Sequence, residues 1–235
     1  MSEIKRIVDN SASFYIERIL DIDYQLCQFT YESFKPFFHG TSCLELGPAS
    51  GYMTRFLVND FKDLILVEGA KELYDRIPPY PNVTKHLSLF EDFDTGQTFD
   101  TIILSHVLEH IENPVALLNR IRNWMHDETV LLISVPNARS IHRIVAVEMK
   151  IISSIYELNS RDKELGHYRV YDFQTLSEDV YRAGYSIIEK GGVFLKPVSN
   201  RQIQDTWSLE MIRGFYEVGK KFSDSCAEIF LVCKK

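Results

Sequence analysis

Short apolar runs alternate with stretches of helical period along most of this chain. Phe14, Ile16, Ile19, Leu20, Leu26 and Phe29 form an apolar stripe that predicts a helix over residues 13–38, broken off by Gly40. Apolar runs at 44–46, 64–67, 83–87, 99–104 and 130–135 read as five strands. Helical spacing at 52–58, 71–76 and 114–125 fills the gaps between them. Pro114 suits a first helical turn, and Pro78, Pro79 and Pro81 close the short helix before them. Strands alternating with helices in this way predict an α/β fold, with a mostly parallel sheet covered on both faces.

After the fifth strand the period changes. Ile141, Ile144, Val145, Ile151, Ile152, Ile155 and Leu158 predict one long amphipathic helix over 141–158. A helix over 173–182 ends at Gly184, a sixth strand covers 185–189, a further helix lies within 202–222, and a last strand covers 228–233. The organisation expected is a helical cap over 1–38 and one domain over 39–235. That domain carries helical lid insertions at about 138–165 and 200–222.

The chemistry is written at the strand ends. The run Glu45-Leu46-Gly47-Pro48-Ala49-Ser50-Gly51 closes the first strand with an acid and two spaced glycines, and Glu68 closes the second. A strand, a glycine turn, a helix and an acid on the next strand tip describe a nucleoside site. The glycines admit a ligand to bare backbone, and the acid accepts from ribose hydroxyls. On these residues alone a nicotinamide-dependent oxidoreductase remains open beside other nucleoside-binding enzymes.

The residues past the fourth strand narrow the choice. Ser105-His106-Val107-Leu108-Glu109-His110-Ile111, then Gly166-His167-Tyr168-Arg169 and Ala183-Gly184-Tyr185, resemble motifs of the class I S-adenosylmethionine-dependent methyltransferases of the small-molecule type. The resemblance runs from about residue 38 to 185 and extends to the last strand. It implies a Rossmann-like sheet of seven strands, with the last strand antiparallel between the fifth and sixth. It also implies S-adenosylmethionine as cofactor, held by Glu45, Gly47, Ala49, Gly51, Glu68, Leu89, Phe90, Ser105 and His106. Ala49 departs from the pattern, since many members have a third glycine there, but alanine is small enough to let the ligand approach.

His106, His110 and His167 are the candidate catalytic residues. His106 and His110 are four residues apart, so a helix would carry both on one face. With no HExxH and no third ligand in evidence, no metal is expected. Arg169 is a candidate partner for an acidic substrate group. Methyl transfer to an oxygen or nitrogen of a small-molecule acceptor is the activity expected. Against it stand a non-catalytic protein on the same fold, and a repurposed enzyme such as an aminopropyl transferase or a cyclase.

The 235 residues carry a net charge of −7, which disfavours a broad nucleic-acid face. Cys27, Cys43, Cys226 and Cys233 lack metal spacing and read as core thiols. With no apolar span and no signal-like start, a cytoplasmic protein is expected, with a homodimer possible through the 141–158 helix.

Overall fold

The computed structural model describes residues 21–235. Seven strands form one sheet: β1 (Ser42–Leu46), β2 (Asp63–Glu68), β3 (Val83–Leu87), β4 (Phe99–Ser105), β5 (Met125–Pro136), β6 (Ser186–Val193) and β7 (Glu228–Lys234), in spatial order 3-2-1-4-5-7-6. β1 to β5 pair in parallel, while β7 runs antiparallel to both β5 and β6. The order reverses between β1 and β4, and at such a point an open α/β sheet leaves a crevice beyond its strand ends.

Successive strand residues feed opposite cores. Leu44, Leu46, Ile65, Val67, Leu131, Ile133 and Val135 join one buried cluster; Cys43, Leu64, Leu66, Val130 and Leu132 join the other. This is the period-two geometry of a sheet covered twice. On the first face lie α4 (Pro114–Ile121) and α7 (Phe173–Arg182), whose Leu117, Leu118, Leu176 and Val180 are buried in that cluster. On the second lie α1 (Asp21–Phe34) and α9 (Leu209–Gly219), where Phe29 stacks on Tyr216 with ring centroids 4.2 Å apart.

The shorter helices are α2 (Thr54–Leu57), α3 (Lys71–Arg76), α5 (Ile141–Glu148), α6 (Ser160–Glu164) and α8 (Asn200–Thr206). Several differ from the expected elements. Residues 13–20 of the first expected helix lie outside the described residues, and α1 passes into a single 3-10 turn at Lys35–Phe37. The expected 114–125 helix ends at Ile121, and β5 begins at Met125 with an irregularity in its pairing to β4 before Val130. The 202–222 segment is two helices, because Ser208 caps α9 through a bond from Met211 N–H.

The long 141–158 helix is not formed. Its helical part stops at Glu148, where Lys150 turns left-handed (φ 58°) and Ile151 N–H bonds back to the Ala146 carbonyl. The face is also inverted. Arg143 is buried, donating to the carbonyls of Ile155 and Glu157 and to Asp162 at 3.2 Å, while Ile144, Val145, Met149 and Ile151 are exposed. One guanidinium tying the 149–159 loop to α6 outweighs the apolar stripe.

At the opposite end of the sheet from the crevice, Asp100 fastens β4 to the start of β1. Its carboxylate accepts from the backbone N–H of Thr41 (2.7 Å) and Ser42 (2.9 Å) and from the Ser42 hydroxyl (2.9 Å). Burial pushes its carboxyl up, but these donors and His126 outweigh it and pull it to about 2. A folded-state value below the unfolded one stabilises the fold at neutral pH and is lost as pH falls from about 4 towards 2. Asp100→Asn is therefore expected to cost about 2 kcal/mol at pH 7, narrowing to roughly half at pH 3. Urea denaturation of both proteins at the two pH values measures this.

Candidate active site

Two cavities open at the carboxyl ends of the parallel strands. The larger, about 570 Å³, runs past Glu68, Leu89, Phe90 and His110. The smaller, about 330 Å³, lies between α1 and the 137–167 and 196–200 segments, and includes Glu45 and His167. Gly47, Ala49, Ser105 and His106 border both. Of the expected site residues, Gly51 and Arg169 border neither; Gly51 is a turn residue at φ 80°, whose added Cβ would meet Ile77 at 3.3 Å.

The β1 turn is built for close approach. Gly47 sits at φ 69°, and a Cβ there would come within 2.8 Å of Val107. Its N–H extends the β1–β2 ladder by bonding the Val67 carbonyl at 2.9 Å. Ala49 is also left-handed, at φ 49°, so its neighbours hold an L residue where glycine is the relaxed choice. Glu68 accepts from Ala49 N–H (3.0 Å) and Ala70 N–H (2.8 Å). Burial lifts its carboxyl to about 7 despite those donors. Glu45 is likewise lifted to about 7 by burial, with Glu68 adding repulsion, while it accepts from the Thr54 hydroxyl at 2.7 Å.

The β4 end is organised by His106. Its backbone is left-handed (φ 56°), so the chain turns away before any helix forms, and only one 3-10 turn follows at Leu108–His110. His106 and His110 therefore do not share a helical face. The His106 ring lies between two carboxylates, with Nε2 3.1 Å from Glu228 Oε1 and Nδ1 3.3 Å from Glu109 Oε1. Burial opposes the charged ring, but the two acids outweigh it and hold His106 well above its ordinary range. Glu228 also accepts from the Thr30 hydroxyl at 2.8 Å, which joins α1 to the site.

His110 instead meets His167, their rings edge to face with centroids 4.6 Å apart. A bond from Tyr168 N–H to the Glu109 carbonyl (2.8 Å) brings the two segments together. Arg169 reinforces the junction. Its guanidinium donates to the carbonyls of Leu108, Ile111 and Glu112, so it clamps this loop rather than facing an acidic substrate group.

Residues that sequence reading missed sit on the smaller cavity. Lys196, pulled down to about 8 by burial and by the charge of Arg161, donates to Asn200 at 2.9 Å. Asp23 accepts from Asn200 at 2.8 Å and lies 3.6 Å from Arg161. Glu228 carried one signal, an acid opening an otherwise apolar strand; Lys196 and Asp23 carried none, since they meet only in space. Of the cysteines, Cys43, Cys226 and Cys233 are buried free thiols, while Cys27 is half-buried at the smaller cavity.

A family model described as a methyltransferase domain matches residues 18–190. The chain belongs to the class I S-adenosylmethionine-dependent methyltransferases. Similar solved structures include an S-adenosylmethionine-dependent methyltransferase from Mesorhizobium loti, at 12% identity and TM-score 0.60, covering 84% of this chain and 92% of that one. The N-methyltransferase NodS from Bradyrhizobium japonicum, in complex with S-adenosyl-l-homocysteine, matches at 12% identity and TM-score 0.55, with 90% and 84% covered. The [4+2]-cyclase SpnF matches at 11% identity and TM-score 0.60, with 90% and 81% covered. At these identities the likeness is one of fold. No curated protein matches the chain. Among the described residues of this methyltransferase no helix is long and apolar enough to cross a membrane.

The strained turn has a measurable consequence. Ala49→Gly is expected to stabilise this methyltransferase by about 0.5–1 kcal/mol, the relief of the left-handed alanine exceeding the entropy added to the unfolded chain. Chemical denaturation of the two proteins checks the sign.

Proposed function

We propose that the larger cavity and the shared β1 turn hold S-adenosylmethionine, and that its methyl passes to an oxygen or nitrogen of a small polar acceptor in the smaller cavity. The observation carrying this reading is that two cavities of different character meet at Gly47, Ala49, Ser105 and His106. The residues present suit the cofactor. Glu68 offers a buried, raised carboxylate to ribose hydroxyls, Leu89 and Phe90 wall the adenine end, and Gly47 and Ala49 let backbone meet the amino-acid tail. Glu45 accepts from that tail's ammonium group.

The bound cofactor supplies a methyl on a sulfonium, already activated for in-line displacement. What remains for the protein is to align the acceptor, exclude water and receive a proton. Lys196, Asn200 and Arg161 give the acceptor hydrogen bonds, and the carboxylates of Asp23, Asp162 and Glu228 line the same cavity as proton acceptors. His106 stands where the two cavities meet, held in place by its two acids. A volume of about 330 Å³ fits a small metabolite.

Three measurements test the reading. Glu68→Ala is expected to weaken S-adenosylmethionine binding by about 1.5–3 kcal/mol, or roughly 10–150-fold, by titration calorimetry. Wild-type binding is expected to weaken as pH falls through about 7, by up to about tenfold per unit, because the proton on a raised carboxyl must leave when the ligand binds. Glu68→Gln makes that profile shallower; an unchanged profile and affinity would remove Glu68 from the site. For the acceptor, a panel of hydroxyl- and amine-bearing metabolites is scored by mass spectrometry for gain of a methyl. With any substrate so found, Lys196→Met raises KM while leaving cofactor affinity within about twofold. Cofactor binding without methylation across the panel would sink the acceptor assignment.

A further inference from the structure

Glu109, His110 and His167 form a cluster that transfer from a sulfonium does not require. One possible ligand atom from each lies within 4.8 Å of the others. Atoms bound to a single ion at about 2.0–2.2 Å sit about 3–4 Å apart, so small side-chain rotations close the set.

The feature that points to a ligand is the state of Glu109. It is 1% exposed, and neither carboxylate oxygen accepts a hydrogen bond from a described residue. The 3.3 Å contact from His106 Nδ1 supplies charge to one oxygen without the alignment of a hydrogen bond. A buried carboxylate left so is costly, and native structures rarely leave one unanswered. His167 Nδ1 is buried and without a hydrogen bond as well. His110 donates a ring N–H to the Leu165 carbonyl. Second-partner bonds of this kind orient metal-binding imidazoles.

We propose that Glu109, His110 and His167 bind one divalent first-row transition ion in the wall between the two cavities. Two imidazoles and a carboxylate favour Zn²⁺, Mn²⁺ or Co²⁺ over Mg²⁺ or Ca²⁺, which prefer all-oxygen sets. Three protein ligands leave a position open, as in catalytic sites and unlike closed structural ones. The third ligand, absent from the local sequence, arrives through the Tyr168–Glu109 backbone bond. The inference stands on this ligand set and does not depend on the acceptor.

The test uses the full chain, stripped with a chelator and titrated with Co²⁺. Equilibrium dialysis is expected to give one ion per chain, with visible d–d absorption that Zn²⁺ abolishes by displacement. Glu109→Gln and His167→Ala are expected to lose both the absorption and the rise in Tm that the ion gives the wild type. His126→Ala, at the other end of the sheet beside Asp100, keeps them. Calorimetry with S-adenosylmethionine reports whether each variant is folded, and His167→Gln carries the test if Glu109→Gln is not. A wild-type chain that binds S-adenosylmethionine but shows no saturable Co²⁺ binding overturns the proposal. So does Co²⁺ binding that survives in folded Glu109→Gln and His167→Ala.

Discussion

Burying negative charge at the carboxyl edge of the sheet is the constraint around which the site is arranged. Glu45, Glu68, Glu109 and Glu228 are all at most 6% exposed, and they lie at or just beyond the crevice ends of four different strands. Carboxylates out of water need donors or cations. The chain answers three of them with hydrogen bonds or a close cation, the Thr54 hydroxyl for Glu45, two backbone N–H groups for Glu68, and His106 with Thr30 for Glu228, and leaves Glu109 only the 3.3 Å contact from His106. The answers are incomplete: burial leaves Glu45 and Glu68 with carboxyls raised to about 7. Such a surface favours a positively charged or hydrogen-bonding guest.

Topology delivers these acids to one place. Parallel strands bring their last residues to the crevice, which accounts for Glu68 and for Ser105. An antiparallel strand brings its first residue instead. Glu228 stands opposite Pro136 at the end of β5, and so reaches His106 from the far end of the sequence. The left-handed turn at His106 completes the arrangement, aiming one ring at acids from two elements.

Much of the larger cavity's wall is local and was legible in the sequence. β3 and α7 match the expected 83–87 and 173–182, and the glycine turn and Glu68 fall where strand alternation puts them. Glu45, Gly47, Ala49, Glu68, Leu89, Phe90, Ser105 and His106 all border the two cavities. The smaller cavity was not legible, because it rests on contacts between distant segments. A helical period at 141–158 says nothing of a buried Arg143 that bonds Ile155, Glu157 and Asp162 in place of solvent. Nor does spacing show that His167 belongs beside His110, since a single backbone bond from Tyr168 decides it. Gly51, by contrast, fits the motif and yet borders neither cavity.

The antiparallel placement of β7 also governs when the site comes into being. This strand is hydrogen-bonded on both sides, to β5 and to β6, yet it is synthesised after both. Until it inserts, β5 and β6 are unpaired edges, His106 has no Glu228, and α1 has nothing for Thr30 to hold. A ribosome-bound chain can thus form the β1–β4 half early, while the non-local pairing that completes the crevice comes last. A chain whose β7 has not yet paired therefore holds the β1–β4 side of the crevice without the acid that fixes His106 in place.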